Sequence, residues 1–235
     1  MNSVRTKIQQ YINANLNTDL HSLLLKKSPF PEVSMQELVQ QIKGRKIAEK
    51  KFPFLNKDNI IFPPNLNLEQ ASSQDTAEYK AQFFKGKKFL DLTCGFGIDA
   101  YFLSQNFEEI TLIEQNTELL EIVKNNWEVL DRKANFINQQ LEDFLESNQE
   151  KFDLIYLDPA RRDNNNRKVF LLEDLSPNIV EIQEKLGEIS DEILIKLSPL
   201  IDLQHLVSSL DNISKIWIIA VKNEVKEVLV HIKKR

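Results

Sequence analysis

The stretch KFLDLTCGFGIDAYFL, residues 88–103, constrains the fold of this chain more than any other segment. An apolar run closes on Asp91, a turn carries Gly95 and Gly97, and a helical stretch follows. Two glycines so close together fit a tight strand-to-helix turn in which the backbone must approach a neighbour closely. The alternation that begins here continues through the rest of the chain. Short apolar runs recur at Lys88–Leu92, Glu109–Glu114, Ala134–Asn138, Phe152–Leu157, Glu192–Leu197, Lys215–Val221 and Val228–Ile232, with amphipathic stretches such as Thr117–Leu130 between them. That pattern predicts βα units and an α/β fold with a mostly parallel sheet. The last two runs are separated only by KNEVKE, too short for a crossover helix, so the final strand is expected to be antiparallel.

The first third reads differently. Ile8, Tyr11, Ile12 and Leu16 share a helical face, Ser34 and Glu37 have capping-box spacing, and a basic helix runs from there through Lys51 to a stop at Pro53. Pro63 and Pro64 mark an extended connector, and SSQDTAEYKAQFF a polar helix start. The boundary is expected near residue 60, giving a helical region over 1–60 and an α/β domain over 61–235.

Charge separates the same two parts. Residues 1–88 hold 14 Lys/Arg against 8 Asp/Glu, whereas the remainder holds 16 against 27. A polyanion would therefore meet the N-terminal part first, and Lys43, Arg45, Lys46, Lys50 and Lys51 form a candidate stripe for it; a solvated helix surface is the other reading. The single cysteine, Cys94, has no disulfide partner, the three histidines form no metal-ligand cluster with it, and no run of about 18 apolar residues occurs. A cytoplasmic protein away from membranes is expected, with no metal in its site and Cys94 serving packing.

Two motifs can carry chemistry. In the first, Gly95-x-Gly97-x-x-Ala100 satisfies the relaxed dinucleotide pattern, and Glu114 closes the next strand where ribose hydroxyls are held, which keeps an NAD-dependent oxidoreductase in view. Asp91 and Asp99 weigh against it, since two carboxylates beside the turn repel a pyrophosphate and suit a ligand bearing an ammonium or a sulfonium. S-adenosylmethionine is such a ligand. The second motif, YLDPARR, puts Asp158 and Pro159 at the carboxyl edge of the sheet, where open α/β sheets bind ligands, and Arg161 and Arg162 follow with donors for phosphate or carboxylate. Taken singly, each residue also has a plain structural reading: a turn cap for Asp91, a first-turn acid for Asp99, a surface ion pair for Asp158 with Arg162.

Together, DLTCGFGID, LIEQN, YLDPARR and the upstream SSQDTAEYKAQF resemble the motifs of class I S-adenosylmethionine-dependent methyltransferases. From about Phe62 to Lys233 the chain is most similar to bacterial THUMP-like domain methyltransferases, and more distantly to small-subunit ribosomal RNA guanine-N2 methyltransferases. The resemblance implies a Rossmann-like sheet, with Asp91, Thr93, Gly95 and Gly97 along the methionine end of the cofactor and Asp99 near its amino group. It also implies Glu114 on the ribose and Gln140 toward the adenine, although such enzymes usually have an acid there. Asp158, Pro159 and Arg161 would serve catalysis, with a nitrogen of an RNA base, in rRNA or tRNA, as methyl acceptor. The sequence departs from amine methyltransferases at Ala160-Arg161, where an aromatic residue ordinarily stacks on the base; an arginine plane can stack in its place. The departure leaves open an inactive, methyltransferase-like RNA-binding or assembly module.

Overall fold

The computed structural model describes residues 2–161 and 171–234. Seven strands form one sheet: β1 (Lys88–Asp91), β2 (Glu109–Ile113), β3 (Asn135–Ile137), β4 (Leu154–Leu157), β7 (Glu192–Leu197), β8 (Ile213–Val221) and β9 (Glu224–Lys233), while β5 (Ala160–Arg161) and β6 (Leu175–Ser176) make a small antiparallel pair. The order across the sheet is β3-β2-β1-β4-β7-β9-β8, parallel except for β9, which runs antiparallel to both neighbours. The order reverses between β1 and β4, so the crevice outside their carboxyl ends is the topological switch point of the sheet.

Strand periodicity decides the layers. Along β4 all four residues are buried; Leu154 and Tyr156 face one layer and Ile155 and Leu157 the other, as alternation requires. On the first face lie α6 (Ile98–Leu103) and α7 (Thr117–Val129), through Ala100, Leu103, Val123 and Trp127. On the second lie α8 (Leu141–Ser147), α9 (Ile179–Ile189) and α10 (Leu203–Ser209), through Phe144, Leu186 and Leu206.

The N-terminal helices α1 (Asn2–Ala14), α2 (Leu20–Leu24) and α3 (Met35–Lys51) gather around Ile12, Leu23, Leu38 and Ile42. The capping box forms: Glu37 N–H donates to Ser34 Oγ (3.2 Å) and Ser34 N–H to Glu37 Oε2 (2.7 Å). A second cluster joins Ala48, Phe52 and Phe62 to Ala77, Phe96 and Phe102, so one apolar core crosses residue 60 and reaches the glycine loop. Phe52 meets Phe96 edge-on at 5.9 Å.

Two expectations change. The segment after Pro64 is not wholly extended, because α4 (Asn65–Gln70) starts at once, burying Leu68; α5 (Gln74–Ala81) follows, capped by Ser73. KNEVKE is not a loop either. Only Lys222 and Asn223 turn, both at positive φ, and Glu224 already belongs to β9. A two-residue turn with positive φ at both positions matches strand twist, which lets the ladder run to the turn. No helix among the described residues is long and apolar enough to cross a membrane.

Candidate active site

The loop after β1 is fixed by strand ends on both sides. Cys94 N–H donates to the Ile113 carbonyl (2.9 Å), Gly95 N–H to Glu114 Oε2 (2.9 Å) and Thr93 N–H to Asp91 Oδ1 (2.8 Å). Thr93 Oγ1 accepts the N–H of Asp158 (2.7 Å), and the other Glu114 oxygen accepts the N–H of Asn116 (2.8 Å). Asp91, Thr93, Gly95, Glu114 and Asp158, named from the sequence as cofactor or catalytic residues, thus form two hydrogen-bonded sets, Asp91–Thr93–Asp158 and Gly95–Glu114, at the carboxyl edge of β1, β2 and β4.

The two glycines differ in purpose. Gly97 sits at φ +75°, and a Cβ there would lie 3.0 Å from Val123 Cγ1 and 3.3 Å from Trp127 Nε1, so it serves packing of the loop onto α7. Gly95 sits at φ +54°, and a Cβ would meet only the Thr93 carbonyl, at 3.8 Å; the space before it is open to a ligand.

Other expected residues lie differently. Gln140 is exposed at the N-cap of α8, beyond β3, without a capping bond; Asn138 instead braces this corner, donating to the carbonyls of Glu114 (2.8 Å) and Gln115 (3.1 Å). Pro159 is buried, and the backbone of Arg161 pairs with Leu175 in the β5 and β6 ladder. The side chain of Arg161, all of Arg162 and the run Asn164–Asn166 lie outside the described residues.

Asp99, expected beside a ligand's amino group, is instead enclosed by protein partners. Its oxygens meet Lys80 Nζ (2.7 Å), Ser72 Oγ (2.7 Å), Tyr156 Oη (2.7 Å) and Lys196 Nζ (3.5 Å). Lys80 also pairs with Glu227 (2.7 Å), and Lys196 with Asp158. Burial disfavours the Asp99 carboxylate, but Lys80 and Lys196 reverse this and hold its carboxyl well below the usual range. Lys80, Asp99, Lys196 and Glu227 thus meet with Ser72 and Tyr156 in the interior, from α5, α6, β7, β9, the loop before α5 and β4, and Asp158, just past β4, joins them from the half-buried rim. Sequence reasoning missed Ser72, Lys80, Tyr156, Lys196 and Glu227. The available signal was Lys196 itself, the one charge within an otherwise apolar five-residue run, ILIKL.

The basic stripe is largely absorbed by the fold. Arg45 donates to Asn56 Oδ1 (3.0 Å) and the Lys57 carbonyl (2.9 Å), and Lys51 to the carbonyls of Leu68 (2.9 Å) and Glu69 (2.8 Å), while Lys43 and Lys50 are exposed.

Carboxylates dominate the ligand side. Burial pushes the Asp91 carboxyl well up, the Thr93 amide pulls it down, and Asp99, Asp158 and Glu114 raise it further. Adding a pyrophosphate to this surrounding is costly, and a cation is welcome.

The same burial sets a pH dependence. The Cys94 thiol and the Tyr156 phenol are pushed well up by burial; burial opposes the Lys196 ammonium, yet Asp158, Asp99 and Glu227 hold it above its usual range. Each group keeps in the folded state a proton that the unfolded chain releases near pH 8.5, 10 and 10.4 respectively. Stability is therefore lost as pH rises through and beyond those values, by up to about 1.4 kcal/mol per pH unit for each group, with Lys51, which burial lowers, offsetting part. Urea unfolding is expected to show a midpoint that declines steeply between about pH 8.5 and 10.5. A flat profile would contradict these burials.

The sheet order, with a glycine loop after its first strand and an acid after its second, defines the fold as that of class I methyltransferases. Residues 73–186 match the family model described as conserved hypothetical protein 95. The crystal structure of a "putative methyltransferase" from Porphyromonas gingivalis W83 is similar over 98% of this chain, with 28% identity and a TM-score of 0.84. The chain spans 58% of the length of that protein. TrmK of M. capricolum, solved in complex with S-adenosyl-homocysteine, shares the fold at a TM-score of 0.51 and 15% identity, over 68% of this chain and 67% of its own. No curated protein matches the sequence.

Proposed function

We propose that the chain is an S-adenosylmethionine-dependent methyltransferase of the bacterial THUMP-like type, acting in the cytoplasm on a nitrogen of an RNA base. The observation that carries the reading is the uncrowded glycine at position 95, where a Cβ would meet only the Thr93 carbonyl, in a loop that hydrogen bonds tie to Asp91, Glu114 and Asp158. The 28% identity to the Porphyromonas protein along nearly the whole chain supports it.

When bound, the cofactor supplies a methyl group already activated on a sulfonium. The protein's task is then to bind, align and exclude water. Glu114 uses one lone pair on each oxygen for Gly95 and Asn116, which leaves lone pairs for the two ribose hydroxyls. Asp91, Thr93 and Gly95 line the methionine end, Gly97 shapes the same loop by packing it onto α7, and Gln140 offers an amide to the adenine edge. Asp99, engaged with two lysines, acts by fixing α6 under the loop rather than by meeting the ammonium. Asp158 and Pro159 present the acceptor nitrogen, and Arg161 stands in for the stacking aromatic. Regions 1–60 and 61–235 work as one unit through their shared core.

Calorimetric titration with S-adenosylmethionine, S-adenosylhomocysteine and NAD tests the cofactor. Binding of the first two and not of NAD is expected, weakened about 10- to 100-fold in Glu114→Ala by the loss of hydrogen bonds to a charged group. Absence of binding to the wild-type protein would overturn the enzyme reading. The Ala160-Arg161 departure would then favour an RNA-contacting module, read out by RNA affinity without turnover.

A further inference from the structure

Lys196 occupies a place that cofactor binding does not explain. Its side chain is 10% exposed and its Nζ contacts Asp158 Oδ2, while Asp158 is 36% exposed. The pair therefore runs from the interior outward, and the carboxylate is its surface end. Behind it, Nζ lies 3.2 Å from Ser72 Oγ and 3.5 Å from Asp99 Oδ2, and those oxygens are themselves held by Lys80 and Tyr156. A lysine is normally a mobile charge on a long stem. Here its head is restrained by three oxygens, one on α6 and two on the loops that precede α5 and follow β4. The Asp158 main chain is restrained too, by the bond from its N–H to Thr93.

We propose that Lys196 is a positioning residue for Asp158, fixing Oδ2 so that Oδ1 remains for one donor group on the methyl acceptor. Naming that donor rests on the methyltransferase reading; the coupling of Lys196 to Asp158 does not. A carboxylate with one oxygen committed accepts a donor from a narrower range of directions. Misplacement of a reacting group by about an ångström costs on the order of 10²-fold in rate, so this restraint sets how the acceptor is aligned.

The test reads Asp158 directly. The carbon-13 carboxyl resonance of Asp158, assigned by its disappearance in Asp158→Asn, is titrated in wild-type protein, Lys196→Met and Lys196→Arg. Loss of an adjacent cation raises a carboxyl, so the midpoint is expected to rise by about one to three pH units in Lys196→Met and to return toward wild type in Lys196→Arg. Affinity for S-adenosylhomocysteine is expected to change little in both. An unchanged midpoint in folded Lys196→Met overturns the proposal, as does a fall in melting temperature and ligand affinity with no movement of Asp158, the mark of a structural role alone. Should Lys196→Met fail to fold, the nitrogen-15 ammonium signal of Lys196 decides from the other side. In Asp158→Asn it is expected to shift and exchange faster while that of Lys80 stays in place; an unmoved signal overturns the proposal. Failure of the wild-type protein to bind S-adenosylhomocysteine would remove the methyltransferase reading and leave both resonance results standing.

Discussion

Lys80→Met is expected to destabilise the folded protein by about 3–5 kcal/mol, measured as the free energy of urea unfolding at neutral pH. Lys80 is fully buried and contacts Asp99 and Glu227 at 2.7 Å each, so its removal leaves buried Glu227 without its ion pair and Asp99 with the more distant Lys196, at 3.5 Å, as its remaining cation. For a domain of this size the loss corresponds to a melting temperature lower by roughly 6–20 °C. Lys87→Met is the control. Lys87 and Glu109 form a pair whose side chains are 64% and 51% exposed, and such pairs contribute about 0–1 kcal/mol. Similar effects from both substitutions would mean that the interior cluster is solvated and that burial does not govern it.

Asp158→Ala is expected to lower methyl transfer by about 10²-fold or more, with S-adenosylhomocysteine bound nearly as in wild type. The carboxylate stands just past β4, and its own N–H braces the loop after β1 through Thr93; the substitution keeps that bond and removes the side chain that pairs with Lys196 and that, on the proposed reading, meets the acceptor. Tritium transfer from labelled S-adenosylmethionine into cellular RNA measures the first quantity and calorimetry the second. Equal loss of both would assign Asp158 to cofactor binding instead.

The sheet was legible because buried parallel strands write themselves as short apolar runs, and the observed strands fall on all seven of those runs. The glycine loop was legible because backbone at positive φ leaves little choice of residue. The interior charge cluster was not. Lys80 lies in a polar helix and Glu227 in what reads as a turn, and nothing local says that either is buried. Their burial follows from pairing across 147 residues, a relation that periodicity does not carry. The short turn at Lys222 and Asn223 was the decisive local fact, since extending β9 backward is what brings Glu227 inside. The basic stripe was legible in part: charge spacing on α3 was visible, but the carbonyls that capture Arg45 and Lys51 were not.

Glu227 reaches its partners only once β9 has inserted between β7 and β8, later in chain order than any other strand of the sheet. A nascent polypeptide that has yet to synthesise β9 holds Lys80, Asp99, Asp158 and Lys196 but lacks Glu227, the second carboxylate on Lys80, and its sheet ends at β7. Such long-range closure is slow and leaves a partly folded chain exposed in the meantime. Synthesis therefore delivers Glu227 after the other four charges, and a chain stalled or nicked before Glu224 leaves the edge of β7 unpaired and exposed to strand addition.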